Sequence, residues 1–225
     1  MKWVTFSVTR KTDIPVILPI LTLPNSLLFP HAFLPLYLFE QQYCEMLRDC
    51  LTKQRMFGIA LAKNLHLDQE DPEPNNIIGV GLIRACVNNK DETFHLILQG
   101  VARAEIIKQI QIMPYRMAKI RILPSINRNG LEIEALMIKA IELALERIKH
   151  SHETPHKILH FLNDIQDPSI LADVIGYNFV DDLYQKQRLL ETIDVRLRLR
   201  RLISFLIKEP HLNLSEETPL LKRPH

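Results

Sequence analysis

No Gly-x-x-x-x-Gly-Lys-Ser/Thr sequence occurs in these 225 residues, so the backbone cradle that holds a nucleoside triphosphate is missing. No run of about 18 or more apolar residues occurs either, which removes a membrane-spanning helix from consideration. Cysteine is sparse. Cys44, Cys50 and Cys86 form an odd set without Cys-x-x-Cys spacing and read as reduced thiols of a cytoplasmic protein. An excess of charge of one sign is also lacking. The formal net charge is +2, which gives no general signal for polyanion binding and argues against nucleic acid as a partner. The opening Met-Lys-Trp-Val-Thr-Phe starts like a secretory leader, but Ser7, Thr9, Arg10, Lys11 and Asp13 interrupt it before an apolar segment of the required length has formed. No signal peptide is expected.

What remains is an ordinary globular composition, 47% hydrophobic and 24% charged, in a chain long enough for one large domain or two small ones. Its organising stretch is Leu23 to Tyr43, which contains three prolines and three phenylalanines. It cannot be one long helix and is too apolar for a solvated loop, so it reads as an extended, buried ribbon. Pro24, Pro30 and Pro35 bias their predecessors towards extended geometry. A helix then opens at Phe39-Glu40, with Tyr43, Met46 or Leu47, and Cys50 or Leu51 on its apolar face.

Around this stretch the pattern has period two. Ile14 to Leu21 is β-rich, and Pro15 and Pro19 suit an edge or a bend. Phe57 to Ala62 is a short apolar strand, and Asp68 to Asn76 an acidic, proline-broken loop. Ile77 to Val87 and Thr93 to Gln99 form a hairpin about Asn88-Asn89. Ala104 to Ile112 and Tyr115 to Leu123 continue the strands, broken at Pro114. Beyond Pro124 to Gly130 the period becomes helical, with Met137, Ile141, Ala144 or Leu145, and Ile148 on one stripe. Further helices fit Pro155 to Asn163, Pro168 to Tyr177, Asp181 to Glu191 and Thr192 to Lys208. The last carries Val195, Leu199, Leu202 and Leu206 on one face, with Leu190, Ile193 and Leu197 as a second apolar row, which predicts a helix packed on two sides. The fold class expected is α+β: a β-rich domain at 13–124, a helical bundle at 130–209 and a mobile tail at 210–225.

The order Leu23-Pro-Asn, Leu28-Phe-Pro, Leu34-Pro-Leu, Phe39-Glu and Tyr43 resembles the opening of the Lon substrate-binding domain, the amino-terminal domain of Lon proteases. Leu98-Gln-Gly-Val-Ala-Arg103 resembles that family's second recurrent stretch. Asp167-Pro168, Leu171-Ala-Asp173, Gln187, Leu189 to Glu191 and Asp194-Val195 resemble its helical part. Two positions depart from the pattern. His31 stands where the family commonly has a glycine, and Gln42 where it commonly has an arginine that would partner Glu40. The resemblance implies a PUA-like pseudobarrel and a role in recognising unfolded or damaged polypeptide, or a partner protein. It also implies a non-catalytic module, since the chain stops where a Lon protease continues into its ATPase and serine-lysine protease domains. The alternative is a PUA-like RNA-binding protein.

The candidate binding residues are Phe29, Phe33 and Tyr37, which serve either as β-domain core or as anchors of a peptide groove, with Arg84 and Arg103 at its rim. Gly79, Gly81 and Gly100 read as backbone necessities. No catalytic residue, metal ligand or cofactor is assigned. His152-Glu-Thr-Pro-His156 has the letters of a zinc-protease motif, but Pro155 breaks the helix on which both histidines would need to sit, and Thr154-Pro155 reads as a helix start. His156 and His160 read as exposed helix histidines. Arg196, Arg198, Arg200 and Arg201 form the densest basic cluster and read as arginines flanking a packed seam and paired with neighbouring acids.

Overall fold

The structure is a computed structural model that describes residues 13–63, 72–148 and 160–208. Six strands make one sheet: β1 (Ile17–Leu23), β2 (Phe33–Leu38), β3 (Met56–Leu61), β4 (Ile77–Asn88), β5 (Phe94–Gln111) and β6 (Met117–Ile122). Their order is β2-β5-β4-β3-β1-β6, and β6 pairs back onto β5, closing a ring. Only the β1–β3 pairing is parallel. The predicted pseudobarrel with helices following it is what the chain forms.

The ring closes because β5 is twice used. Its first half, Phe94 to Gln99, pairs with β2, and its second half, from Ala104, pairs with β6. The sequence pattern divides this stretch after Gln99, whereas the strand runs on through Gly100 and only its partner changes. β1 also differs from expectation. It is paired on both sides, not at an edge, and its prolines are tolerated because the two ladders are offset. Residues 17–19 face β6, residues 20–23 face β3, and Pro19 sits at the end of the first ladder.

Inside the ring lies a small core of Leu18, Ile20, Met56, Ala60, Ile78, Val80, Ala104, Ala118 and Ile120. A larger core covers the ring's flank. It runs from Leu21 and Leu27 to Phe29 through helix α1 (Gln41–Thr52) into the carboxy-terminal helices, without interruption. Met46, Leu47 and Cys50 on α1 are buried, as the spacing predicts.

The helices are α2 (Leu131–Ile148), α3 (Pro168–Phe179), α4 (Leu183–Glu191) and α5 (Val195–Lys208). Their starts are written locally. Asp167 accepts from the backbone N–H groups of Ser169 and Ile170 with Pro168 next to it, Asp182 from that of Gln185, and Asp194 from that of Leu197. Arg147 of α2 donates to the carbonyls of Phe179 and Leu206 at 3.0 and 3.1 Å, near the ends of α3 and α5. Val195, Leu199, Leu202 and Leu206 are all buried. The expected second row is divided: Leu190 is buried but belongs to α4, Ile193 is half-buried between the helices, and Leu197, its one member on α5, is 44% exposed. Residues 152–156, which hold the histidine pair, lie outside the described residues, as do the tail and most of the helix expected at 155–163.

Candidate functional site

Strand β2 reads Phe-Leu-Pro-Leu-Tyr-Leu, and alternation sends Leu34 and Leu38 into the core while Phe33, Pro35 and Tyr37 face outwards. Its register with β5 sets Phe33 opposite Gln99, Pro35 opposite Ile97 and Tyr37 opposite His95. On the far side β4 places Ala85 opposite Ile97 and Val87 opposite His95. The outer face therefore carries an apolar, aromatic surface three strands wide. Tyr37 packs against His95 at 4.7 Å between ring centroids and against Phe39 at 5.9 Å. Phe33, Tyr37, Phe39, Ile97 and Val87 are between 42 and 65% exposed. That is a large amount of exposed aromatic and aliphatic area for one sheet face.

The same strand is an edge. Among the described residues β2 pairs with β5 alone. The Phe33 carbonyl points away from β5, because it accepts a 3.1 Å hydrogen bond from the Tyr177 hydroxyl of α3. By the alternation of an antiparallel ladder, the backbone groups of Pro35 and Tyr37 point the same way. Pro35 has no N–H to leave unpaired there, so its place on the open side costs no ladder bond. Tyr177 caps one end, and the edge from Pro35 to Tyr37 offers carbonyl, N–H and carbonyl.

Arg84 joins this face. It sits at the irregularity between Ile83 and Ala85, is exposed, and its Nε donates to Oε1 of Gln99 at 2.6 Å. Phe33, Tyr37 and Arg84 thus share one surface. Phe29 and Arg103 do not. Phe29 is fully enclosed, its ring edge-on to Tyr177 at 6.2 Å, and it cannot anchor a ligand. Its backbone is pressed against β5 so closely that a Cβ at Gly100 would lie 1.9 Å from the Phe29 carbonyl oxygen. Gly79 faces the Leu28 carbonyl in the same way. Arg103 is 3% exposed and lies in the interior, where Asp173 of α3 supplies its counter-charge, so it stands at no rim.

Sequence reasoning missed Phe39, Val87, His95 and Ile97. Their exposure follows from alternation once β2 is known to lie beside β5, and that pairing, across some sixty residues of chain, has no local signal.

The sequence profile of the ATP-dependent protease La (LON) substrate-binding domain matches residues 17–208. The chain belongs to this family. Lon proteases of Dictyoglomus thermophilum and Anaeromyxobacter dehalogenans are each 30% identical to it, over 200 and 201 residues, which is 88% of this chain in both cases. The chain spans about a quarter of the length of these relatives, 25 and 24%. Among solved structures, the N-terminal domain of a Mycobacterium avium complex Lon protease superposes with a TM-score of 0.70 at 21% identity, covering 86% of this chain and all of that one. The Lon N-terminal domain protein of Xanthomonas campestris gives 0.62 at 20% identity, covering 84 and 98%. In this Lon substrate-binding domain the glycine position of the family pattern, His31, lies in the left-handed region at φ 68°. At the position of the missing arginine, Gln42 donates to Glu40 at 3.2 Å. No helix among the described residues is long and apolar enough to cross a membrane, and no group of His, Cys, Asp and Glu among them is arranged to hold a metal.

Proposed function

We propose that this Lon substrate-binding domain captures unfolded or damaged polypeptide by adding it as a strand to the open edge of β2. Side chains of the captured segment lie on Phe33, Tyr37, Phe39 and Ile97, with Arg84 at the margin. What carries the reading is the coincidence, on one strand, of an exposed aromatic face with an edge that from Pro35 to Tyr37 pairs with no other strand among the described residues. An edge supplies affinity for any backbone, and the apolar face selects segments that a folded protein would have buried. That is the chemistry a recognition module for unfolded chains needs. The module works without catalysis of its own, in the cytoplasm, where its three free thiols stay reduced. The β part, 13–124, does the binding, and the helical part, 130–209, supports it.

RNA is the competing ligand to exclude. Against it stands the fate of the basic cluster: Arg198 is buried, and Arg196 and Arg200 both pair with Glu132 of α2. The test is fluorescence anisotropy of a labelled, permanently unfolded polypeptide at low and moderate salt, with RNA as competitor. Saturable binding that survives moderate salt, ignores RNA and weakens in Phe33→Ala/Tyr37→Ala supports capture on β2. Binding that collapses with salt or yields to RNA overturns it.

A further inference from the structure

A second groove lies on the other side of the β4–β5 hairpin, under the carboxy-terminal half of α1. Its floor is apolar, built from Leu51 of α1, Cys86 of β4 and Phe94 of β5, and two arginines, Arg48 and Arg55, line it. It is a broad, shallow concavity of about 590 Å³ that lies largely open to solvent. That volume is ample for a peptide side chain and its neighbours.

The two arginines are held differently. The Arg48 guanidinium lies over the Phe94 ring at 5.4 Å, a cation–π contact with the apolar floor. Arg55 sits in the turn between α1 and β3 with φ 58°, tied by its backbone on both sides: its N–H donates to the Cys50 carbonyl at 3.0 Å, and its carbonyl accepts from Ile83 at 2.8 Å. Its Nε reaches the Ile83 carbonyl at 3.5 Å, and no carboxylate among the described residues pairs with it. Glu92, at the tip of the hairpin, is not part of the lining, but its Oε2 lies 3.2 Å from Nη2 of Arg48. Both partners of that pair are well exposed, at 47 and 83% of their side chains, so it is a weak, displaceable contact. Glu92 shows that a carboxylate can reach Arg48 at the margin of this groove.

Resting on the reading of the chain as a polypeptide-binding module, we propose that this groove binds an acidic residue of the captured polypeptide, with the large apolar residue beside it on the Leu51, Cys86 and Phe94 floor. Charge complementarity selects the occupant. Two arginines on one groove suit a carboxylate, and the three apolar side chains that line it with them suit a neighbouring aliphatic or aromatic side chain rather than a bare inorganic anion. Because the concavity lies open to solvent, a chain can run across it, and the carboxylate is that of an Asp or Glu side chain within the segment. The captured segment is thereby read twice, for exposed apolar character on β2 and for an apolar-acidic pair here.

The test uses two labelled peptides, acetylated and amidated at their ends, that differ only as Asp and Asn within an otherwise apolar sequence. Anisotropy titrations should show the Asp peptide binding roughly tenfold tighter than its Asn twin at low salt. Arg48→Gln/Arg55→Gln, at exposed positions, should abolish the difference with an unchanged melting temperature, and Glu92→Gln should tighten the Asp peptide by releasing Arg48. Equal affinity of the twins, or a preference that persists without the arginines, overturns the assignment. A neutral unfolded polypeptide measured against Phe33→Ala/Tyr37→Ala separates the two readings. If it binds through β2 while the twins bind alike, the groove assignment falls alone. If it fails to bind while the Asp peptide still depends on both arginines, the β2 reading falls and the groove stands.

Discussion

Arg103 and Arg198 donate to one and the same oxygen: Oδ1 of Asp173 lies 2.7 Å from Nη2 of the first and 2.8 Å from Nη1 of the second. The first arginine comes from β5 and the second from α5, and the aspartate from α3, so the contact ties the ring to the helices. All three side chains are at most 3% exposed. Ser125 accepts from both arginines, and Ser169 and the Thr192 carbonyl accept from Arg198. Burial draws the Arg198 guanidinium down to about 10, against the pull of Asp173, so it remains charged at neutral pH. Asp173→Asn leaves two buried cations with no counter-ion, and we expect a loss of about 3–5 kcal/mol in urea unfolding. Arg103→Met leaves the Arg198–Asp173 pair balanced and should cost clearly less. Equal losses would show that packing, not charge balance, holds this junction.

His31 adopts φ 68°, the left-handed region, in the turn before β2. Its N–H donates to the Gly100 carbonyl at 2.8 Å, so the backbone is committed to this geometry. A side chain there costs about 1–2 kcal/mol that glycine avoids, partly offset by glycine's greater freedom in the unfolded chain. His31→Gly should therefore raise the melting temperature by a few degrees, equivalent to about 0.5–1 kcal/mol. A fall would show that the imidazole's own contacts outweigh the strain.

Local chemistry explains how much of this was legible. The caps Asp167 and Asp182, the proline before Ser169, and the four-residue spacing of α1 and α5 are short-range signals, and the elements they predict are present. What could not be read was pairing. The apolar run through Gly100 looks like two strands until β2 and β6 are known to share it, and Pro19 looks like an edge residue until the offset of its two ladders is seen. The site suffered most. Phe29 and Phe33 lie four residues apart in the same aromatic stretch, and only the tertiary approach of Leu28-Phe29 to β4 and β5 buries one and leaves the other exposed. An arginine on a strand is equally ambiguous: Arg84 and Arg103 differ only in which face meets Asp173.

Gly79 and Gly100 test that approach directly. At each, a Cβ would come within 1.9 Å of a backbone carbonyl oxygen, which no rotamer change relieves. Gly100→Ala should destabilise by about 3 kcal/mol or more, because the Phe29 segment must move off β5 and open the core behind it. Gly176→Ala is the control. Its Cβ would be 3.1 Å from a flexible Leu189 methyl, so the change needs only a small shift of that side chain, and circular dichroism melts of the two variants should differ plainly.

The thiols give the last prediction, and its sign follows from burial. Cys50 is 4% exposed with its Sγ directed at the Met56 carbonyl, and burial, followed by the charge of Asp49, pushes its pKa up to about 12 from 9.0. In the unfolded chain it ionises near 9.0, so between about pH 9 and 12 the unfolded state has released a proton that the native state keeps. The unfolded state then binds fewer protons, and stability falls as pH rises through this window, by at most about 1.4 kcal/mol per pH unit from this residue. Below the window the residue contributes no pH dependence. Cys50→Ala should flatten the alkaline limb of a plot of urea midpoint against pH. In the native state at pH 8, mass spectrometry after iodoacetamide treatment should find Cys86, which is half-buried, modified before Cys44 and Cys50. Rapid labelling of Cys50 would instead mean that α1 lifts from the sheet under native conditions and that the groove beneath it opens far wider than its resting shape.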